Sequence, residues 1–128
     1  MPVSVTAEKS LTPELSAGLS KLYASSPEFS GGQEAVEEAE RVLGIGGTVY
    51  VGWFNGKAVS SIMAWGPDDA RTLRWIVVHA ANRGRGIADR LVAEACRLER
   101  EQGRSHFVPG CTAIARLLKI DAARLAKA

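Results

Sequence analysis

Residues 76–96 constrain the fold more than any other stretch of this sequence. Their pattern predicts an apolar strand over residues 76–78, a turn containing Gly84 and Gly86, and a long helix that begins at Ile87. A glycine turn that leads into a helix directs several unpaired backbone N–H groups, and the positive end of the helix dipole, toward one point. Such a point binds anions, most naturally a phosphate or pyrophosphate.

Composition narrows the class of protein. The 128 residues are 46% hydrophobic and 23% charged, which predicts a single globular domain over residues 1–128. The net charge of +2 is too small to favour nucleic-acid or membrane partners. No charged leader or membrane-length apolar run is present, so we expect a soluble, cytoplasmic protein. Cys96 and Cys111 form neither a disulfide framework nor a metal-ligand cluster, so we expect reduced thiols and no metal site.

The first half of the chain predicts a strand, two helices and a β-hairpin. Val3, Val5 and Ala7 alternate with polar residues, as in a half-buried strand. Thr12 or Ser10 can cap the first helix. The predicted elements are a strand at 3–8, helices at 12–24 and 33–43, and strands at 48–54 and 57–65, with Asn55-Gly56 as the hairpin turn.

The second half predicts a β-α-β unit followed by more helix. A strand at 71–79 is apolar on both sides in its later half and is therefore placed at the centre of the sheet. The next helix ends at Gly103, followed by a parallel strand at 105–108, a helical segment at 111–119 and a helical or frayed end at 121–128. The helix pattern buries Ile87, Leu91, Ala95 and Leu98, with Ala88 and Val92, and leaves Arg90, Glu94, Arg97, Glu99, Arg100 and Glu101 largely outside.

Residues 83–88, Arg-Gly-Arg-Gly-Ile-Ala, resemble the Arg/Gln-x-x-Gly-x-Gly/Ala motif of the GNAT superfamily of N-acetyltransferases. The order of elements agrees with that family, although Ala80 stands where the family often has proline. The resemblance implies an α/β, GNAT-like fold: a mixed central sheet with antiparallel strands and then a β-α-β unit, with helices on both faces. Since the usual last strand pair does not follow, we expect a sheet truncated at its C-terminal strands.

The resemblance also implies a cofactor, acetyl-coenzyme A. Amides of residues 83–88 would hold its pyrophosphate, and the backbone of 76–78 would contact its pantetheine arm. The side chains of Arg83, Arg85 and Arg90 either meet the phosphates or are simply solvated. The cofactor-binding residues implied are Ile76, Val77, Val78, Asn82, Arg83, Gly84, Arg85, Gly86, Ile87, Ala88 and Asp89.

Catalysis is left open by the sequence. Many members of the family use a tyrosine on the helix after the fourth or fifth strand, and residues 111–119 contain none. Cys111 is the nearest titratable substitute as an acid, although a lone cysteine is commonly a buried thiol. His79 and Glu28 are candidate bases, as are the loop carboxylates of Asp68 and Asp69, while a histidine after a strand often only follows the turn.

A closer resemblance is to a short branch, the PanZ-type acetyl-CoA sensors that regulate aspartate decarboxylase. It is carried by segments 22–23, 27–30, 50–55 and 74–88, although the Arg-Phe-Asn of that branch is Trp53-Phe54-Asn55 here. Two hypotheses follow: an N-acetyltransferase acting on an unidentified amine, or a non-catalytic sensor with a protein partner. A second copy of the chain is a further possible partner, because it would cover an open sheet edge.

Overall fold

Four helices cover the two faces of a five-stranded mixed sheet in the computed structural model, which describes residues 3–84 and 86–127. The sheet order is β1-β2-β3-β4-β5, with β1 to β4 antiparallel and β5 parallel to β4. This confirms the predicted α/β, GNAT-like arrangement. In chain order the elements are β1 (Ser4–Glu8), α1 (Pro13–Tyr23), α2 (Gly32–Gly44), β2 (Thr48–Phe54), β3 (Lys57–Trp65), β4 (Arg71–Val78), a 3₁₀ turn (Ala80–Asn82), α3 (Ile87–Glu101), β5 (Phe107–Pro109) and α4 (Thr112–Lys127).

Local signals in the sequence explain the early elements. Thr12 caps α1, since its side chain accepts a hydrogen bond from the Leu15 amide at 3.1 Å, and Pro13 occupies the first turn. The turn between β2 and β3 has positive φ at both central residues, 52° at Asn55 and 75° at Gly56. These are the angles of a type I′ turn, so the hairpin forms as predicted.

The core has two layers, one on each face of the sheet. Leu19, Val36 and Val42 of α1 and α2 pack with Val51 and Met63 on one face. On the other face, α3 and α4 cover Tyr50, Ile62 and Leu73. Successive side chains of β2 and β3 therefore point into opposite core layers. This confirms the prediction of helices on both faces of the sheet.

The predicted position of β4 and the predicted bounds of β5 are wrong. β4 is predicted at the centre of the sheet, but β3 occupies the centre and β4 lies next to the edge strand β5. The apolar run 76–78 of β4 therefore does not mark a central strand. β5 has only three residues, because the chain pairs with β4 just over Phe107–Pro109. The predicted helical segment and the helical or frayed end that follows it form one helix, because α4 runs unbroken to Lys127.

Glu99 corrects the predicted pattern of α3. It is 0% exposed, although its charge placed it among the outward residues. Its carboxylate pairs with Arg71 of β4 at 2.7 Å and accepts a hydrogen bond from the Tyr50 hydroxyl. A buried carboxylate of this kind is stabilised by its partners rather than by water.

None of the helices in the described part of the chain is long and apolar enough to cross a membrane.

Candidate acyl-CoA cleft

β4 and β5 separate part of the way along β4. They pair from Arg71 to Leu73, and the last bond between them runs from the Gly110 amide to the Leu73 carbonyl at 2.8 Å. Beyond this point a cavity of about 320 Å³ lies beside residues 76–78 of β4. The lining residues are Ser26, Pro27, Glu28, Ile76, Val77, Val78, Arg83, Ala88, Ala113, Arg116 and Leu117.

The glycine loop at the start of α3 forms a second cavity, of about 250 Å³. Gly84 and Gly86 have φ of 79° and 74°, values that favour glycine, and Gly86 provides no side-chain cap. The first bond of the helix joins the Arg90 amide to the Gly86 carbonyl, so the preceding amides of the first turn have no acceptor within α3. The lining residues are Val78, Asn82, Arg83, Gly84, Gly86, Ile87, Ala88 and Asp89.

The two cavities share Val78, Arg83 and Ala88 and form one groove, which we call the β4–α3 groove. Every residue predicted to bind the cofactor lines it except Arg85, which lies outside the described residues. One end of the groove is formed by the edge of β4, and the other end is formed by the first backbone amides of α3. An elongated ligand with an anionic group near its middle or end matches this shape.

The arginines near the loop make bonds to the protein itself. Arg83 Nε donates to the Val78 carbonyl at 3.2 Å, and its side chain remains exposed in the groove. Arg90 Nε donates to the Val3 carbonyl at 2.8 Å, which ties the N-terminal segment to α3. Backbone amides therefore provide the fixed part of this anion site, with Arg83 beside them.

The catalytic candidates separate into two groups. Glu28 lines the β4–α3 groove, on the loop between α1 and α2. His79 caps the 3₁₀ turn, where its Nδ1 accepts from the Ala81 amide at 3.1 Å, and it borders a different groove of about 650 Å³ between α1 and the hairpin. Cys111 is half-buried against the layer under α3 and does not line the β4–α3 groove.

Asp68 and Asp69 lie in the turn before β4, at the strand end opposite the glycine loop. Asp68 pairs there with Arg104 at 2.9 Å. Neither carboxylate lines the β4–α3 groove.

Both tyrosines are buried and bonded away from this groove. The Tyr23 hydroxyl donates to the Trp75 carbonyl, and the Tyr50 hydroxyl donates to Glu99. Burial raises the pKa of each hydroxyl, and in Tyr50 the bond to Glu99 raises its pKa further. No tyrosine among the described residues therefore faces the groove as a proton donor.

A β-bulge at Trp75 is the feature of this site that sequence reasoning missed. Trp75 has φ of 62°, and between the pairs Ser61–Val77 and Met63–Arg74 the single residue Ile62 faces two residues of β4. The bulge shifts the alternation of side chains: before it Leu73 faces α3, and after it Val77 faces α1 and α2. No short-range pattern in the sequence indicates this shift.

Comparison with known proteins agrees with the fold. Residues 45–125 match the family model described as an acetyltransferase (GNAT) domain. The structure of an aminoglycoside 6'-N-acetyltransferase complexed with coenzyme A is similar, with 20% sequence identity and a TM-score of 0.68. The alignment covers 78% of this chain and 57% of that enzyme. A Desulfovibrio desulfuricans protein assigned to the GNAT family is 14% identical to this chain, with a TM-score of 0.72. The alignment covers 96% of this chain and 83% of that protein.

A ribosomal-protein-alanine N-acetyltransferase from Brucella melitensis is 19% identical, with a TM-score of 0.67, covering 86% of this chain and 80% of its own. No curated protein sequence matches significantly. This chain thus spans little more than half of the aminoglycoside enzyme, and at these identities the likeness concerns the fold alone. The match of the family model covers more than half of the sequence. The chain belongs to the GNAT acetyltransferase family.

Proposed function

We propose that this protein binds acetyl-coenzyme A in the β4–α3 groove and transfers the acetyl group to an amine. The observation that carries the proposal is the continuity of the groove, from the edge of β4 beyond Leu73 to the first amides of α3. The solved structure of the similar aminoglycoside enzyme in complex with coenzyme A supports the same ligand class.

The groove fits the two chemical parts of coenzyme A. Backbone N–H and C=O groups of residues 76–78, unpaired with β5, suit the amide-containing pantetheine arm. Amides at the start of α3, the helix dipole and Arg83 suit the pyrophosphate. A Cβ atom added at Gly84 or Gly86 would meet nothing within 4 Å, so space for a ligand lies directly above the backbone there.

When bound, acetyl-coenzyme A would supply an acetyl thioester: attack by the amine nitrogen on its carbonyl carbon would form the amide C–N bond and break the C–S bond, and the departing thiolate would take up a proton and leave as the free thiol of coenzyme A. Glu28 is the only carboxylate among the described residues that line the cavity beside β4, and we assign it the role of accepting the amine proton. The groove otherwise contributes by holding the thioester against the amine, which itself supplies much of a rate enhancement.

Titration calorimetry with coenzyme A tests the binding site. The double variant Gly84→Asn and Gly86→Asn adds two side chains over the loop, and asparagine tolerates the left-handed conformation. We expect at least a tenfold loss of affinity, because each side chain would occupy the space of the pyrophosphate.

Gly103→Asn is the matched control, because Gly103 has φ of 84°, lies at the opposite end of α3 and also has open space around its Cα. Pantetheine, which lacks the pyrophosphate, should bind the wild type and the double variant alike. Equal affinity of coenzyme A for all three proteins would refute the site.

A second candidate function is a non-catalytic acetyl-CoA sensor of the PanZ type that regulates a partner such as aspartate decarboxylase. One observation favours it: Tyr23 and Tyr50 are bonded elsewhere, and Cys111 lies outside the groove, so no tyrosine or cysteine among the described residues faces the groove as a proton donor. Thiol release from acetyl-coenzyme A with a panel of amines separates the two. Release supports the transferase, whereas no release together with acetyl-CoA-dependent capture of the decarboxylase supports the sensor.

A further inference from the structure

We propose that Tyr23, Phe29 and Glu38 act as positioning residues that hold the bulge at Trp75 and thereby shape the groove for acyl-coenzyme A. We call these three residues, with Trp75, the Trp75 clamp. The inference rests on the proposed function. It states that residues of α1, α2 and the loop between them determine the shape of the β4–α3 groove.

The clamp holds Trp75 by both its main chain and its side chain. The Tyr23 hydroxyl, at the end of α1, donates to the Trp75 carbonyl. The Trp75 indole Nε1 donates to Glu38 of α2 at 2.8 Å. Phe29 packs against the indole at 4.6 Å between ring centroids and meets the Tyr23 ring edge-on at 5.5 Å. Three separate segments therefore converge on one residue of β4.

The conformation of Trp75 explains why such a hold is needed. A positive φ is an unfavourable backbone state for a bulky aromatic residue and persists only where surrounding contacts fix it. If the bulge relaxed to a regular strand, the residues after it would exchange faces. Val77 would leave the layer under α1 and α2, and the edge presented to the groove by residues 76–78 would change.

Two of the residues that hold Trp75, Glu38 and Tyr23, do so through polar groups rather than through apolar packing alone. Glu38 is a carboxylate, only 17% of whose side chain is exposed, and it also binds Arg41 at 2.7 Å. Tyr23 is 1% exposed, and its hydroxyl donates its hydrogen bond to the main-chain carbonyl of Trp75. Both polar groups are buried or half-buried, and both are directed at the residue that carries the bulge.

The clamp also connects the bulge to the loop that carries Glu28. Phe29 follows Glu28 directly and is fixed between Tyr23 and Trp75. Arg74 also contacts the indole, with its guanidinium 4.0 Å from the ring centroid. One aromatic cluster thus sets the positions of the β4 edge and of the groove carboxylate together.

The test compares Tyr23→Phe and Glu38→Leu with Glu38→Gln, whose amide oxygen can still accept from the indole. Tyr50→Phe is the matched control, because it removes a buried tyrosine hydroxyl on the opposite face of the sheet. We measure the affinity for coenzyme A by calorimetry and the hydrogen exchange of the amides of residues 76–78 in the free protein.

We expect Tyr23→Phe and Glu38→Leu to weaken coenzyme A binding about fivefold to tenfold, as for loss of one hydrogen bond, and to speed exchange at residues 76–78. Glu38→Gln and Tyr50→Phe should stay within twofold of the wild type in both measurements. Unchanged affinity and exchange in Tyr23→Phe and Glu38→Leu, whether or not their stability falls, would overturn the proposal. Failure of the wild type to bind coenzyme A would refute the proposed function instead, while the exchange rates would still decide whether the clamp holds β4.

Discussion

Replacement of Glu99 by leucine should destabilise this protein more than loss of any surface charge. The carboxylate is 0% exposed, lies 2.7 Å from Arg71 Nε and accepts from the Tyr50 hydroxyl. Arg71 is itself only 3% exposed, and Arg104 approaches the same carboxylate at 3.7 Å. Glu99→Leu would leave a buried guanidinium without a counter-charge and a buried hydroxyl without its acceptor.

Removal of one partner of a buried ion pair costs about 3–5 kcal/mol of unfolding free energy. For a chain of this length that corresponds to a fall in Tm of roughly 10–20 °C. Most of this cost comes from the charge that remains, rather than from the lost attraction. The double variant Arg71→Met and Glu99→Leu, which removes both charges, should therefore recover most of the stability.

Urea unfolding followed by circular dichroism measures this difference. Glu101→Gln is the matched control on the same helix, because Glu101 is 57% exposed and pairs with the exposed Arg97 at 2.6 Å. Its midpoint should coincide with that of the wild type. If Glu99→Leu unfolds at the same urea concentration as Glu101→Gln, or if the double variant is no more stable than Glu99→Leu, the reasoning is refuted.

Three further predictions concern other parts of the fold. Burial raises the pKa of Cys96 to about 12, so a thiol reagent at neutral pH should modify Cys111 rapidly and Cys96 only upon unfolding; equal rates would contradict this. Gly47→Ala should destabilise the protein by roughly 1–3 kcal/mol of unfolding free energy, since a Cβ would lie 2.6 Å from the Ala64 carbonyl oxygen, whereas Gly44→Ala has open space and should not. The pKa of Glu38 is lowered chiefly by its hydrogen bond from Arg41, so the stabilisation it provides is complete above the usual value of 4.5 and is lost as the pH falls through the lower folded pKa. Acid titration of stability should therefore show a loss in that window for the wild type that Glu38→Gln lacks.

The sequence predicts those parts of the fold that depend on neighbouring residues. The Asn55-Gly56 turn, the cap at Thr12 and the glycine loop before α3 each act within a few positions of the chain. The part of the β4–α3 groove formed by residues 76–89 follows from this same local order, because a strand, a glycine turn and a helix in succession place these residues together. Their role in binding a cofactor stays a prediction.

The features that the sequence does not predict depend on distant partners. Glu99 carries a charge at a helix position next to the apolar stripe, and its hydrogen-bond partners Arg71 and Tyr50, 28 and 49 residues away, make its burial favourable. The bulge at Trp75 depends likewise on Tyr23 and Glu38, at separations of 52 and 37 residues. Hydrophobic periodicity contains no information on such contacts, since it describes one element at a time.

The attachment of α3 has a mechanical consequence for ligand binding. Glu99 fixes the last turns of this helix to the sheet, and Arg90 joins its early part to the Val3 carbonyl. A helix anchored in this way near both ends cannot slide along its axis when an anion arrives at its first turn. The amides that would receive the anion are thus set in place before binding, so little of the binding free energy is lost in ordering them.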